Sequence, residues 1–384
     1  MVGPNTSAAV IGIDASRALS CAPTGTEAYS YHLIRALVPL LRDRHTVRLY
    51  HREPRPQHIG ASNAGLPWSD AEDRVIPFPR LWTHVRLSWE MLCAPPDLLF
   101  VPAHVLPLIR PRRTLVTVHD LGYRAFPEAH PARQRRYLEL STRWNVQTAT
   151  HILADSRATR QTIVETYGTP TEKITVLYPG YEPDLAPTRD PETLTRVRRR
   201  YGIPGEYILF LGRIQPRKNL ARLIKAFGAI AQDYPHLTLV LAGPTGWLAE
   251  PIVAGARALN LGDRVRFPGY IAPEDKAALI SGARLFAYPS LYEGFGFPIL
   301  EAQACGTPLL TGTTSSLPEV AGEGGLLIDP EDTGAIARGL GQLLEDTALR
   351  QRLVELGFAN LARFSWDRAA QQVSALIEEL LAAH

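Results

Sequence analysis

Two doubly wound α/β domains are predicted by three features of this 384-residue chain. Short β-branched and leucine-rich runs alternate with longer segments of helical period. The alternation falls into two series, each covering close to half of the chain. The length itself asks for two domains, at roughly 100–200 residues apiece. Strand–helix alternation implies parallel strands joined by crossover helices that cover both faces of a sheet.

The first series of predicted strands reads AVIGID, TVRLYH, DLLFVP, TLVTVH, HILADS and ITVLYP, within residues 9–179. The second reads YILFLG, LTLVLAG, RVRFPG, RLFAYPS, PLLTG and GLLID. Between them lie helical segments such as Glu27–Leu41, where Tyr29, Leu33, Leu37 and Leu40 recur every three to four residues. The stretch YPGYEPDLAPTRDPETL is rich in Pro and Asp, has no apolar period and predicts the boundary. The expected organisation is a first domain over 1–182, a linker over 183–200, a second domain over 201–364 and a last helix over 365–384. Ser365 suits the N-cap of that helix, and Val373, Leu376, Ile377, Leu380 and Leu381 form its apolar stripe.

Composition narrows the function classes. With 45% hydrophobic and 21% charged residues the chain is globular, and a net charge of +3 is too small to argue for nucleic acid. Cys21, Cys93 and Cys305 lie far apart with no CxxC, which favours a reducing compartment and offers no metal-site spacing. The start MVGPNTSAAVIGIDAS lacks the basic and apolar regions of a signal peptide. No run of about 18 apolar residues occurs, so no membrane span is expected. A cytoplasmic protein is the expectation. The 32 prolines are scattered and mark loops.

Ligands of open parallel sheets sit outside the carboxyl ends of the strands. With two such domains facing each other, the cleft between them is the default site. The stretch YEGFGFPILEAQACG follows a predicted strand. Pro298 fits the first position of a helix, Glu301 its first turn, and Glu293 the glycine loop before it. A helix N-terminus among glycines is a ready anion site. Carboxylates beside it suit hydroxyls, through charge-assisted hydrogen bonds. The pattern is sugar, phosphate, sugar: a nucleotide sugar. Glu293 would hold the transferred sugar and Glu301 the ribose. The backbone of Gly294, Phe295, Gly296, Phe297, Ile299 and Leu300 would face phosphate. The bland alternative is a helix end at which Glu301 serves the dipole.

The stretch LFLGRIQPRKNLARLIKAF brings Arg213, Arg217 and Lys218 just past a strand end, where a diphosphate needs fixed cations. No Asp-x-Asp occurs, which disfavours a metal-dependent site. A solvated basic turn is a fair alternative for Arg217, less so for Arg213. His119 closes the strand in TLVTVHDLGY and would face the cleft, although a lone histidine is more often structural. Gly25, in APTGTEAYSYHL, would let backbone approach a ligand, with a plain turn as the equal alternative. GFGFP lacks the third glycine of GxGxxG, and no GxxxxGK[ST], GxSxG or HExxH is present.

Together EGFGFPILE, GRIQPRKN, VHDLGY, the loop at Gly25 and ADSRATRQTIVETYG resemble the retaining family 4 glycosyltransferases of the GT-B fold, over nearly the whole chain. The resemblance implies two Rossmann-like domains facing a cleft, with the last helix crossing back to the first. It implies transfer with retention; with no Asp-x-Asp and cations supplied by the protein, neither metal nor cofactor is expected, the donor being a substrate. By carry-over, Arg213 and Lys218 would contact the diphosphate, Glu293 the donor sugar and Glu301 the ribose, with His119 beside the reacting centre. Where the family often has Gly-Gly, this chain has Thr24-Gly25. Tyr270 or Ile271, in RFPGYIAPED, would cover the base, a surface turn being as good a reading of Tyr270. HDLGYRAFPEAHPARQRRYLELSTRW resembles the branch that includes polysaccharide mannosyltransferases and leans the donor toward GDP-mannose, with UDP-glucose next.

Retention ordinarily suggests a carboxylate nucleophile, with two carboxyls about 5 Å apart. The resemblance puts Glu293 at sugar hydroxyls instead, so front-face attack is expected, with the departing phosphate taking the proton. The acceptor is expected to be a saccharide or lipid-linked. Arg133, Arg135, Arg136, Arg143 and RPRRT form a basic surface suited to anionic membranes, or else a solvated helix face. Trp82, Trp89 and Trp144 pack in the core or bind sugar. The competing functions are a GT-B-like epimerase or phosphorylase, and a non-catalytic sugar-nucleotide-binding protein.

Overall fold

A computed structural model describes residues 8–18, 25–53, 71–78, 80–103 and 105–383. The chain divides into two compact units: Met1–Leu121 with Arg136–Gly180 and Phe364–His384, and Gly122–Arg135 with Tyr181–Arg363.

The first unit is built on seven parallel strands: β1 (Val10–Asp14), β2 (Thr46–His51), β3 (Glu72–Val75), β4 (Leu98–Val101), β5 (Arg113–Val118), β6 (His151–Ala154) and β7 (Ile174–Val176). Their order, β3-β2-β1-β4-β5-β6-β7, is that of a Rossmann-like sheet extended by one strand. Strands buried on both faces need apolar side chains throughout, and Leu98–Val101 is wholly buried. β3 was not expected. Its EDRV sequence has no alternation and all four residues are exposed. It forms by pairing along β2, with Glu72 opposite Arg48, whose guanidinium lies 3.1 Å from the carboxylate. A short charged strand is also a good sheet edge, because it discourages further pairing.

The last helix, Trp366–Ala382, belongs to this unit and starts where Ser365 Oγ accepts from Arg368 N. Its Val373 and Ile377 are fully buried, and Trp366 stacks on His32 of the helix Gly25–Leu41 at 5.3 Å. Trp82 and Trp144 are structural, donating from Nε1 to the carbonyls of Ile76 (2.8 Å) and Leu106 (3.1 Å). Trp89 is exposed. Cys21 lies outside the described residues.

The second unit carries six parallel strands: β8 (Tyr207–Leu211), β9 (Thr238–Ala242), β10 (Val265–Gly269), β11 (Leu285–Tyr288), β12 (Leu309–Gly312) and β13 (Leu326–Ile328). They run in the order β10-β9-β8-β11-β12-β13. All six fall on the runs read from the sequence. Residues 183–200, expected to link the domains, belong to this unit and contain the helix Pro191–Arg200. Asp190 caps it, and Arg196 and Arg200 reach the fully buried Asp275 at 3.1 and 2.8 Å. A strongly charged helix has little apolar period to read, and tertiary ion pairing decides its place. Residues 122–135 also group here, with Phe126 against Tyr292.

At the carboxyl ends of β8 and β9 the backbones nearly touch. A Cβ on Gly243 (φ +131°) would lie 2.1 Å from the carbonyl oxygen of Gly212, so only glycine fits. This close approach holds the turn that carries the basic motif against the sheet. Among the described residues no helix is long and apolar enough to cross a membrane.

Candidate active site

The basic turn after β8 is fixed by Asn219. This residue is buried in the left-handed conformation (φ +61°), and its Nδ2 donates to the carbonyls of Pro289 (3.1 Å) and Pro330 (2.6 Å). One amide thus ties the turn to the carboxyl end of β11 and to the segment after β13. Arg217 and Lys218, just before it, are held over the end of β11. There they meet Glu293. Lys218 Nζ lies 2.6 Å from Oε1, and Arg217 Nη1 lies 3.1 Å from Oε2. The Tyr288 hydroxyl closes the cluster, accepting from Lys218 at 2.7 Å and donating to Glu293 Oε1 at 3.0 Å.

Two cations face one carboxylate, so the cluster keeps one net positive charge in a place where Lys218 and Glu293 are both buried. Burial alone would raise the Glu293 carboxyl, but the charges of Arg217 and Lys218 outweigh it and hold the group at about 2. The same burial, reinforced by the Glu293 charge, pushes the Tyr288 phenol well above its ordinary range. A buried surplus of positive charge is a standing attraction for an anion. Arg213, just upstream, is exposed and makes no hydrogen bond or ion pair with any described residue. It adds a further positive charge to this turn.

The loop that presents Glu293 is pinned from below. Glu293 N donates to Ser315 Oγ (2.9 Å), and Ser316 Oγ donates to the carbonyls of Glu293 (3.0 Å) and Phe295 (2.8 Å). Gly296, at φ +106°, turns the chain into the helix Phe297–Ala304, and no side chain caps that helix. Its first-turn amides follow Glu293 closely in sequence, that of Ile299 already donating to the Gly296 carbonyl at 3.0 Å. Pro298 is the second helical residue and Glu301 the fifth, so Glu301 is not in the first turn as expected. It is also not a dipole partner alone: Oε1 accepts from Lys276 Nζ at 2.7 Å, and Lys276 bridges on to Glu182 at 2.6 Å. Tyr270 is exposed after β10 while Ile271 is buried, so of the two base-covering candidates only the tyrosine presents its ring to solvent.

Of the three cations read in the basic turn, Arg217 was the one with a fair alternative as a solvated residue. Arg217 is no solvated turn residue, being the second counter-charge of Glu293. Tyr288, Ser315 and Ser316 were not read as site residues. The polar TTSS run directly after β12 was the available signal for the serines.

In the first unit, His119 stands at the carboxyl end of β5. Its Nδ1 lies 2.7 Å from Asp155 Oδ2 and its Nε2 lies 2.9 Å from the Pro102 carbonyl. Tyr29 packs edge-on to the ring at 4.8 Å. The Pro102 carbonyl can only accept, so Nε2 donates to it, while Nδ1 faces the Asp155 carboxyl, whose own pKa burial raises; these partners favour a positive charge on the ring. Burial opposes that charge, but Asp155, then Asp120 and the Pro102 carbonyl, hold the pKa above its ordinary value. Each ring nitrogen of His119 is thus engaged within this unit. Gly25 is the exposed first residue of its helix, and the loop before it lies outside the described residues.

His119→Gln should leave the Asp155 carboxylate buried without its cation, at a cost of ~3 kcal/mol in unfolding free energy. The sign in pH follows. The folded-state pKa lies above the ordinary 6.5, so the contribution is present below 6.5 and is lost as pH rises through the raised value. Chemical denaturation across that range should show wild type losing its advantage over the variant. Parallel curves would mean that the ring is neutral.

Paired parallel sheets, with a buried cation–glutamate cluster before an uncapped helix, define a GT-B glycosyltransferase. Residues 23–185 match the family described as Glycosyltransferase Family 4, and residues 196–358 match Glycosyl transferases group 1. The chain belongs to the family 4 glycosyltransferases. It is 32% identical over 369 residues to the O-antigen chain mannosyltransferase B of Escherichia coli, covering 91% of this chain and 94% of that protein. It is also 32% identical to the D-inositol 3-phosphate glycosyltransferase of Corynebacterium glutamicum, over 86% of this chain and 79% of that one. Among solved structures, the sucrose-phosphate synthase of Thermosynechococcus elongatus shares the fold with a TM-score of 0.76 at 21% identity, covering 98% of this chain and 100% of that one. HepE of Anabaena, solved with UDP and glucose, does so with a TM-score of 0.72 at 21% identity, over 97% and 99% of the two chains.

Proposed function

We propose that the protein is a retaining, metal-independent hexosyltransferase that moves a sugar from a nucleotide diphosphate donor to a saccharide or lipid-linked acceptor. The observation that carries this is the cluster in which Arg217 and Lys218 both pair with the buried Glu293, two cations to one carboxylate, in the loop that leads into the helix Phe297–Ala304. The diphosphate is drawn to Lys218, Arg213 and the first amides of that helix, while Glu293 turns its carboxylate to hydroxyls of the transferred sugar. Glu301, already held by Lys276, receives the ribose, and Tyr270 covers the base. As the sugar–phosphate bond breaks, negative charge grows on the diphosphate, and preorganised cations stabilise it by a few kcal/mol per donor. Attack comes from the same face, with the departing phosphate taking the acceptor's proton.

GDP-mannose is the favoured donor and UDP-glucose the next. The lean toward mannose rests on the mannosyltransferase named above, similar over almost its full length. We take the protein to be cytoplasmic and to meet anionic lipid at the inner face of the membrane. The deciding experiment is hydrolysis of a panel of nucleotide sugars, followed by product NMR for the anomeric configuration. Turnover of GDP-mannose with an α-linked product supports the reading. A protein that binds GDP or UDP but turns over no nucleotide sugar is a binding protein, and the reading falls.

Metal independence has its own check. The chain has no Asp-x-Asp, and the cations are protein groups. Activity should survive EDTA unchanged. Loss with EDTA and recovery on adding magnesium or manganese would refute it.

A further inference from the structure

A helix buried on one side ordinarily turns polar side chains outward, and the segment after β3 does the opposite. A π-helical turn, Thr83–Leu87, runs directly into the α-helix Ser88–Cys93. Trp82, Leu87 and Met91 point inward and are buried. Yet Leu81 is 67% exposed, Trp89 59% and Leu92 56%, with Val85 between them. Val85, Trp89 and Leu92 recur at helical spacing, and Leu81 just before the turn adds to the exposed run.

The run has apolar neighbours on both sides. Ser88 Oγ accepts from the backbone N–H of Leu108 (3.0 Å) and Ile109 (3.3 Å), which brings that exposed pair alongside. On the other flank His84 meets the Tyr137 hydroxyl at 3.3 Å, and Leu140, one turn further along that helix, is 68% exposed. Half of the exposed large apolar side chains among the described residues gather on this one face. Patches of this kind mark interaction sites rather than ordinary surface.

The charges around the patch select the partner. Arg80, Arg112, Arg136 and Arg143, each within three residues in sequence of an exposed apolar residue of the patch, are all exposed. Glu90, the one acid in residues 80–93, is buried and neutralised by Arg74 (2.8 Å) and Arg86 (3.2 Å). Glu139 is turned toward the Tyr167 hydroxyl at 3.4 Å. A tryptophan among leucines, rimmed by arginines with no free carboxylate, matches the boundary between acyl chains and anionic headgroups.

We propose that this face of the first unit docks on an anionic lipid bilayer, with Trp89 and Leu92 entering the interface and the arginines meeting the headgroups. The proposal gives definite residues to the membrane contact and rests on that part of the functional reading. The full chain is floated with vesicles of phosphatidylcholine, alone or mixed with phosphatidylglycerol. Flotation is expected with the anionic vesicles only, weakening as salt is raised. The double variant Trp89→Ser/Leu92→Ser should lower partition by ~10-fold or more, since each bulky side chain kept from water contributes a comparable factor. Arg112→Glu/Arg136→Glu should abolish the preference for anionic lipid. The melting temperature is measured for each, because both pairs are exposed and should leave it unchanged. Absence of flotation by wild type, or equal flotation by the serine variant, overturns the proposal. So does a dimer by sedimentation velocity that the serine variant abolishes, which would make the face a contact between copies. Nucleotide-sugar hydrolysis without lipid is run in parallel. Intact hydrolysis with no flotation sinks the membrane face alone, whereas flotation without hydrolysis sinks the transferase reading alone.

Discussion

Glu293→Gln should lower the transfer rate by ~10²–10³-fold, the range seen when one preorganised polar group is removed from a reacting centre. The substitution keeps the shape and one acceptor oxygen but removes the charge. Two effects then separate. Loss of the sugar contact lowers turnover. Loss of the counter-charge leaves Arg217 and Lys218 facing each other, and breaking a buried pair costs about 3–5 kcal/mol of stability. Nucleotide diphosphate, as a replacement anion, should restore part of that stability and bind at least as tightly as to wild type. Kinetics, thermal melts with and without GDP, and calorimetry read the three effects. A variant with wild-type turnover removes Glu293 from the reaction. One that binds the nucleotide more weakly reverses its place in the charge balance.

The same carboxylate contributes to the acid sensitivity of the fold. Its pKa falls from an ordinary 4.5 to about 2 in the folded protein, against the burial that would raise it, because of Arg217 and Lys218. The stabilisation is complete above 4.5 and is lost as pH falls toward 2. Acid unfolding of Glu293→Gln should lack this component.

Lys218→Met is expected to act on the donor instead. Methionine keeps most of the aliphatic stem and drops the ammonium. Glu293 keeps Arg217 at 3.1 Å and the Tyr288 hydroxyl at 3.0 Å, so no buried charge is stranded and the stability loss should stay near ~1–2 kcal/mol. The surplus positive charge, however, disappears. kcat/KM should fall ~10²–10³-fold, with nucleotide diphosphate affinity falling beside it. If affinity is unchanged and only stability suffers, Lys218 is a structural counter-ion of Glu293 and the diphosphate lies elsewhere.

Strand runs such as YILFLG and LTLVLAG, buried on both faces, cannot be solvated and have one place to go. The glycines followed from backbone geometry, and the end of the chain from a Ser cap and an apolar stripe. Those features are local, and local features are what a single sequence carries. Hence the two parallel sheets, the helix after GFGFP and the residue types of the basic turn were legible. β3 was not, because EDRV has no pattern of its own and becomes a strand only along β2. The helix Pro191–Arg200 was hidden for the same reason, its arginines being specified by the buried Asp275.

Within the site the division is sharper. The sequence pattern set Glu293 and Glu301 around a helix N-terminus and Arg213, Arg217 and Lys218 just past a strand end, and the family resemblance singled out Arg213 and Lys218. Neither could say which charge faces which. Tertiary structure decided that Arg217 joins Lys218 on Glu293, that Tyr288 bridges them, that Glu301 belongs to Lys276, and that both nitrogens of His119 are taken. The physical reason is that a charge's partner depends on distances of a few ångströms between segments far apart in the chain. Here the critical pairings join residues 217–218 to 293 and 119 to 155, and only the folded sheets bring those ends together.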